Sequence, residues 1–407
     1  MVKHIAIYIS NNDDKPQLIE CIVSGNIIAH YVNLKPAIFS ELTLNAFIEE
    51  EMRHGHFDVN TDTKNSLEKS SEGERKKALL NHLIGTNPDY LIADNIFGNL
   101  DIKSQEAIEE TLTHLSEKIS IIQITNRRNE ILNFIGETYQ LKGKDLVPFQ
   151  NIPVETNKKS FVKALPPPYN PISTKYNPLV KFNKVNVIYG ERTIIKDICW
   201  EIKAGEFWQL VGPNGSGKST ILSLISGDNP KAFLQDITLF GVKKGSGESV
   251  WDIKKKIGYF SSELMRGFMR ADSIKNMILS GFYDSIGLYK FPTDRQILLA
   301  HQWLQLLGMY SIKDSSFLDL SIGHKRLVLI ARAMVKHPPL LILDEPTNGL
   351  DDNDVALFSE LINKIASESE TAILYVSHRK ESGVLNPDFV YQLTPHETGS
   401  TGVKVII

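Results

Sequence analysis

A chain of 407 residues that is 42% apolar and 23% charged has enough apolar surface for two or three domains with substantial cores. Its 45 basic and 48 acidic side chains leave a formal charge of −3, which excludes a global positive field of the kind that drives nucleic-acid binding, and its two cysteines, Cys21 and Cys199, exclude a disulfide framework and predict two buried thiols in a reducing, cytoplasmic compartment. No stretch reaches the roughly 18 uninterrupted apolar residues of a membrane span and none has the character of a signal peptide, so any membrane role is expected to come through a partner.

In chain order, residues 1–145 open with IYISNNDDKPQLIECIVSG (7–25), a strand, a turn and a helix. From Ser71 the pattern is a polar turn, a helix over ERKKALLNHLIG, a proline-containing loop and a short apolar strand ending at Asp94. Residues 146–178 are rich in Pro and Asn, lack helical periodicity and read as an extended linker. From residue 179 onward both earlier patterns recur. Laying Ser71 on Ser321, an offset of 250, also lays Gly73 on Gly323, Pro88 on Pro338, Asp94 on Asp344, and Leu100 and Asp101 on Leu350 and Asp351. Laying residues 7–25 on QLVGPNGSGKSTILSLISG (209–227) sets an offset of 202. The change from 202 to 250 means that the early copy lacks 48 residues between these landmarks. Residues 1–145 are therefore expected to be a trimmed, degenerate version of residues 179–407.

The later copy carries the chemistry. GPNGSGKST comprises Gly212, Pro213, Asn214, Gly215, Ser216, Gly217, Lys218, Ser219 and Thr220, between an apolar strand and a helix, and fits a phosphate-binding loop. Its glycines let backbone N–H groups converge on phosphate oxygens, Lys218 adds a positive charge at the β and γ phosphates, and Ser219 can ligate Mg²⁺. The strand LLILDEP places Asp344 for the metal shell and Glu345 as base or orienter of the attacking water. His378 follows the strand AILYVS at the carboxyl edge of the same sheet, where open α/β sheets bind ligands; a lone surface histidine is the alternative.

Together with LSIGHKR at 320–326, NGLD after the LLILDEP strand, and VSH, these motifs resemble the ATP-binding-cassette family. The resemblance implies an α/β P-loop NTPase cassette over 179–407, paired with a truncated cassette-like α/β lobe over 1–145. It implies ATP and Mg²⁺ as cofactors, Tyr189 stacked on the adenine, Glu345 and His378 as catalytic residues, Ser321 and Gly323 as a degenerate signature, and Asp351 and Asp101 in the loops that follow the strands. Where the family has Gln near the metal, this chain has Ser262, which is taken as a weak Mg²⁺ site. Family cassettes sandwich nucleotide between the phosphate loop of one and the signature of the other. That implies intramolecular pairing in which Ser71 and Gly73 of the early copy oppose Lys218, with Glu72 turned to solvent. The second site would have Pro16 at the Lys218 position, carboxylates at Asp13 and Asp14, Asn95 for Glu345 and Asn126 for His378, and is expected to be inactive. Two cassettes from separate chains would instead use Ser321 and Gly323.

A narrower resemblance, carried by GVKKGSGESVWDIKKKIGYFSSEL, ILSGFYDSIGLY and RLVLIARAMVKHPPLLILDEP, is to the soluble twin-cassette branch of ModF type, linked to molybdate transport, with related forms called photorepair proteins. It implies the cytoplasmic ATPase of a transport system, for an oxyanion such as molybdate, peripheral at the inner face of the membrane and served by a separate permease. The alternative is a cytosolic ATPase that remodels a macromolecule such as DNA or a ribosome; the near-neutral charge and absence of a charged interdomain helix weigh against a nucleic-acid or ribosome partner.

Overall fold

The computed structural model describes residues 3–55, 58–61, 65–149, 161–170, 176–262, 264–268, 270–377 and 385–405. The chain divides into two compact units, Met1–Glu155 with Gly349–Asp352, and Thr156–Asn348 with Asn353–Ile407.

In the N-terminal lobe, β1 (Ile5–Tyr8), β2 (Pro36–Phe39), β3 (Tyr90–Asp94), β4 (Ser120–Thr125), β5 (Glu137–Lys142) and β6 (Asp145–Pro148) form one sheet in the order β2-β3-β4-β1-β5-β6. All neighbours are parallel except the β5–β6 hairpin. The strands IAIY and YLIAD are buried along their whole length, because a parallel sheet is covered on both faces. Ile5, Ile7, Tyr90, Ile92, Ile122 and Ile124 pack into one core and Leu91, Ala93 and Ile121 into another, the alternation expected of strands sandwiched between helices. Those helices are α1 (Lys15–Val23), α2 (Glu41–His54), α3 (Glu72–Gly85) and α4 (Ile102–Ser116). Each has a side-chain N-cap, from Asp14, Ser40, Ser71 and Asp101 respectively. The β5–β6 hairpin carries the lobe to Pro148 rather than to residue 145.

In the C-terminal lobe, β7 (Val180–Tyr189) and β8 (Arg192–Ile202) precede β9 (Phe207–Val211), followed by β10 (Ile237–Leu239), β11 (Val242–Lys243), β12 (Ile257–Ser261), β13 (Leu340–Asp344), β14 (Ala372–Ser377), β15 (Phe389–Thr394) and β16 (Thr401–Val405). One sheet, β11-β10-β7-β8, is antiparallel; the other runs β12-β13-β14-β9-β15-β16, parallel except for its last hairpin. Trp200 of β8 stacks on Tyr391 of β15 with centroids 4.4 Å apart, so one core joins the two sheets. The helices are α5 (Lys218–Ser226), α6 (Val250–Lys254), α7 (Leu264–Gly267), α8 (Ile274–Ser280), α9 (Asp294–Leu306), α10 (Ile322–Met334) and α11 (Asp352–Glu368). Immediately after α8, a β-carbon at Gly281 would lie 2.0 Å from the carbonyl oxygen of Arg332 on α10. Backbone cannot yield as a flexible side chain does, so Gly281→Ala is expected to destabilise the C-terminal lobe by about 1–3 kcal/mol, read as a lowered melting temperature.

The two parallel sheets share one strand order, and their registers refine the repeat. Leu91 pairs with Ile121 and Leu341 with Ile373, so an offset of 250 on β3 becomes 252 on β4. Ile122 pairs with Ile5 and Leu374 with Trp208, which makes the offset on β1 203. Helices α1 and α5 begin at Lys15 and Lys218, again 203 apart. Lys15, not Pro16, therefore corresponds to Lys218, and Pro16 corresponds to Ser219. Left-handed backbone recurs at the offset of 250: Asn87 and His337 (φ 49° and 50°), Asn95 and Glu345 (both 47°), Asn99 and Gly349 (58° and 72°). The thiols differ from expectation: Cys21 is half-buried and Cys199 is exposed.

Candidate nucleotide site

The C-terminal site forms where β9 ends and α5 begins. Gly215 and Gly217 take φ of 76° and 93°, a region L-residues rarely adopt, and a β-carbon at Gly217 would sit 2.6 Å from Ile195 Cγ2 of β8. A side chain at Gly212 would come within 3.1 Å of the Leu393 carbonyl oxygen. The loop is thus pressed onto β8 and β15, leaving its other side open for a ligand. Lys218, the first residue of α5, is buried, with Nζ donating to the carbonyls of Gly212 (2.7 Å) and Pro213 (3.0 Å). An ammonium at the positive end of a helix is a favourable place for a phosphate group. Ser216 Oγ, also buried, has no hydrogen-bond partner. Pro213 and Thr220 are half-buried, and Asn214 and Ser219 exposed.

Ser219 and Asp344 line the same cleft of about 580 Å³. Two oxygen donors of this type fit Mg²⁺, which is held by one or two protein oxygens together with phosphates. Among the described residues no group of three His, Cys, Asp or Glu could hold a metal by itself. At Asp344, Oδ2 accepts from the Tyr259 hydroxyl at 3.3 Å, from the neighbouring strand β12.

Glu345 follows at the carboxyl edge of β13 with φ 47°. Its N–H donates to the Val376 carbonyl (2.9 Å), its carboxylate accepts from Asn348 Nδ2 (2.6 Å), and its carbonyl accepts from Ser262 Oγ (2.6 Å). The next turn is held by Arg326 of α10, whose guanidinium donates to the carbonyls of Pro346 and Asn348. Tyr189, at the end of β7, is 45% exposed, and its hydroxyl accepts from Asn229 Nδ2 at 2.9 Å. His378 lies outside the described residues.

Each lobe also presents a serine-capped helix. In the C-terminal lobe Ser321 caps α10, accepting from His324 N–H (3.3 Å) with its hydroxyl 2.7 Å from His324 Nδ1. In the N-terminal lobe Ser71 caps α3, its N–H and hydroxyl both donating to Glu74 Oε2 (2.9 and 2.8 Å). The glycines two residues on do the same packing job: a β-carbon at Gly323 would meet Asp354 at 2.0 Å and one at Gly73 would meet Ser104 at 2.5 Å. Asp101 caps α4 through Ser104 N–H (2.9 Å); Asp351 is buried, within the segment that groups with the N-terminal unit.

The N-terminal counterpart is built differently. Lys15 Nζ lies 3.0 Å from Asp94 Oδ1, an ion pair between the equivalents of Lys218 and Asp344. Burial pushes the Asp94 carboxyl above the usual range, and Lys15 pulls it back. Asn95 stands where Glu345 does, its carbonyl accepting from Lys76 Nζ (3.3 Å), and Lys76 replaces Arg326. Glu72 does not turn to solvent: it is half-buried and accepts from Asn99 Nδ2 at 3.0 Å, burial raising its pKa. Tyr259, Asn348 and Asn229 were not singled out in sequence. Asn348 sits three residues after Glu345 in a turn, and the equivalence of Lys76 and Arg326 was available at the same offset of 250.

The ABC transporter family model matches residues 195–348. The chain is 40% identical over 327 residues to the ABC transporter ATP-binding protein ModF of Escherichia coli K12, covering 76% of this chain and 67% of that protein. It is 31% identical over 325 residues to an uncharacterised ABC transporter ATP-binding protein of Schizosaccharomyces pombe, covering 78% and 66%. The chain thus spans about two thirds of the length of these relatives. A chain in the crystal structure of an archaeal ribosomal stalk protein with an archaeal ribosome recycling factor matches with a TM-score of 0.64 at 15% identity, over 100% of this chain and 86% of that one, a likeness of fold alone.

Proposed function

We propose, for a chain that belongs to the family of ABC transporter ATP-binding proteins and that binds and hydrolyses ATP, one working nucleotide site per chain, in residues 179–407. Gly212–Thr220 hold the phosphates, with backbone N–H groups and the Lys218 ammonium neutralising the β and γ oxygens. Ser219 and Asp344 would hold Mg²⁺, which when bound offsets charge on the phosphate oxygens. Glu345 orients and deprotonates the attacking water. Tyr189 stacks on the adenine, and His378 contacts the γ-phosphate. The N-terminal lobe supplies the signature, Ser71 and Gly73, with Asp101 and Asp351 in the adjoining loops. It does no chemistry itself.

The observation that carries this reading is the fate of the two equivalent lysines. Lys218 lies inside a glycine loop that leaves no room for a β-carbon at Gly212 or Gly217, whereas Lys15 is paired with Asp94. Counting bound ATP in a Glu345→Gln variant tests it: one per chain is expected, and two would overturn it. Replacing Ser71 and Ser321 singly by Ala identifies the signature in use. Loss of hydrolysis with Ser71→Ala is expected; loss with Ser321→Ala alone would assign the site to a pair of separate chains, through Ser321 and Gly323.

The chain serves as the ATPase component of a transport system, with the pathway across the bilayer in a separate permease. Among the described residues no helix is long and apolar enough to cross a membrane, and the relatives' names support a transport context. A permease that co-purifies with the chain and raises its ATPase rate is the expected result; stimulation by ribosomes or DNA instead would overturn it.

A further inference from the structure

We propose that Ser262 is a positioning residue for Glu345, acting through the main chain rather than through the metal. This rests on Glu345 being the water-activating residue. Glu345 occupies left-handed backbone (φ 47°), which L-residues other than Asn and Asp seldom adopt, so its carboxylate keeps its aim only while neighbours hold that conformation. Its N–H, its carboxylate and its carbonyl are each held. The N–H is tied to Val376 of β14 (2.9 Å) and the carboxylate to Asn348 (2.6 Å). The carbonyl accepts from Ser262 Oγ at 2.6 Å and from Asn348 N–H at 3.4 Å, so the serine is the close donor. Ser262 follows the last residue of β12, which pairs with β13 in register Ser261 to Asp344, so the donor is set by the sheet.

A serine hydroxyl has one proton, and here it is directed at a carbonyl. A Gln at this position would reach past the carbonyl into the cleft; Ser262 is too short to do so and holds the backbone instead. The N-terminal lobe gives an internal comparison. Pairing of Pro36 with Tyr90 and of Ile257 with Leu340 makes Glu41 the counterpart of Ser262. At that position the chain has already entered α2, capped by Ser40, and the Asn95 carbonyl is held by Lys76 instead. The serine clamp therefore occurs where the glutamate does.

The experiment is a double-mutant cycle on the full chain. Ser262→Ala should lower kcat about 10-fold, against ~10²–10⁴-fold for loss of a base, with KM for ATP and the Mg²⁺ concentration for half-maximal activity unchanged and the melting temperature unmoved. Ser262→Thr, which keeps the hydroxyl, should restore the rate. In the Glu345→Gln background, Ser262→Ala should cause no further fall in the residual rate, because the clamp would have no base to aim. A raised Mg²⁺ requirement, an additive fall in the double variant, or an unchanged kcat in Ser262→Ala would each overturn the proposal. If Glu345→Gln by itself retains full activity, the assignment of Glu345 is what fails.

Discussion

Replacing Lys218 by Met is expected to abolish measurable ATP binding and hydrolysis, whereas replacing Lys15 by Met leaves both intact and lowers the stability of the N-terminal lobe. The two lysines start equivalent helices, 203 residues apart, so the contrast isolates what surrounds them. Lys218 lies against the carbonyls of Gly212 and Pro213 in the glycine loop, beside a buried Ser216 hydroxyl that has no hydrogen-bond partner. Without its ammonium a phosphate loses its strongest charged donor, and loss of one such donor alone costs about 10²–10³ in rate. Lys15 already has its anion. Asp94 is 7% exposed, and removing its partner leaves a carboxylate buried without its nearest cation. That costs about 1–3 kcal/mol, less than for a fully buried pair because Lys15 is one-third exposed. The sign with pH follows. Asp94 has a pKa raised by burial, so its ionised form opposes folding above that pKa, and the opposition is relieved as pH falls toward the ordinary Asp value near ~4. Lys15→Met raises that pKa further, so its melting-temperature deficit should be largest where Asp94 is ionised and shrink as pH falls toward the ordinary Asp range. A deficit that grows on acidification, or ATP binding lost with Lys15→Met, would contradict this account.

How much of this was legible in the sequence depended on which residues survive as landmarks. The second half of the repeat was readable because Ser71, Gly73, Asp94, Leu100 and Asp101 do physical work in both copies: capping a helix, letting two helices approach, ending a strand and filling a core. The first half slipped by one residue. With the glycines gone from the turn at 10–14, apolar matches alone set the alignment, and they tolerate a shift that strand pairing does not. That slip placed Pro16 over Lys218 and concealed the Lys15–Asp94 pair. Glu72 was misread for another reason: its partner, Asn99, is 27 residues away and is brought close only by the left-handed turn after β3. Cys199 is exposed although Ile198 and Trp200 beside it are buried, because β8 alternates faces. The roles of Tyr259 and Ser262 depend on the pairing of β12 with β13, a register that local pattern does not encode.

Glu345→Gln should abolish hydrolysis by about 10²–10⁴ while leaving ATP bound, and its converse, Asn95→Glu, should create no activity in the N-terminal lobe. The first change is nearly isosteric: Asn348 Nδ2 can still donate to an amide oxygen and Ser262 to the carbonyl, so the phosphate loop and the residues for the metal are left as they are. What is lost is the proton acceptor, and single-turnover hydrolysis against equilibrium ATP binding separates the two. The converse tests whether the N-terminal lobe lacks one residue or a whole site. Asn95 shares the backbone conformation of Glu345 at φ 47°, so a glutamate could be accommodated there. Yet Gly98 stands where Asn348 does, so the side-chain amide that donates to the Glu345 carboxylate has no counterpart there. Pro16 stands where Ser219 does, with neither a hydroxyl for a metal nor an N–H for phosphate. The cation at the Lys218 position is already neutralised by Asp94. Activity appearing with Asn95→Glu in a Glu345→Gln background would mean that these losses are not limiting, and that the N-terminal lobe is one substitution away from catalysis.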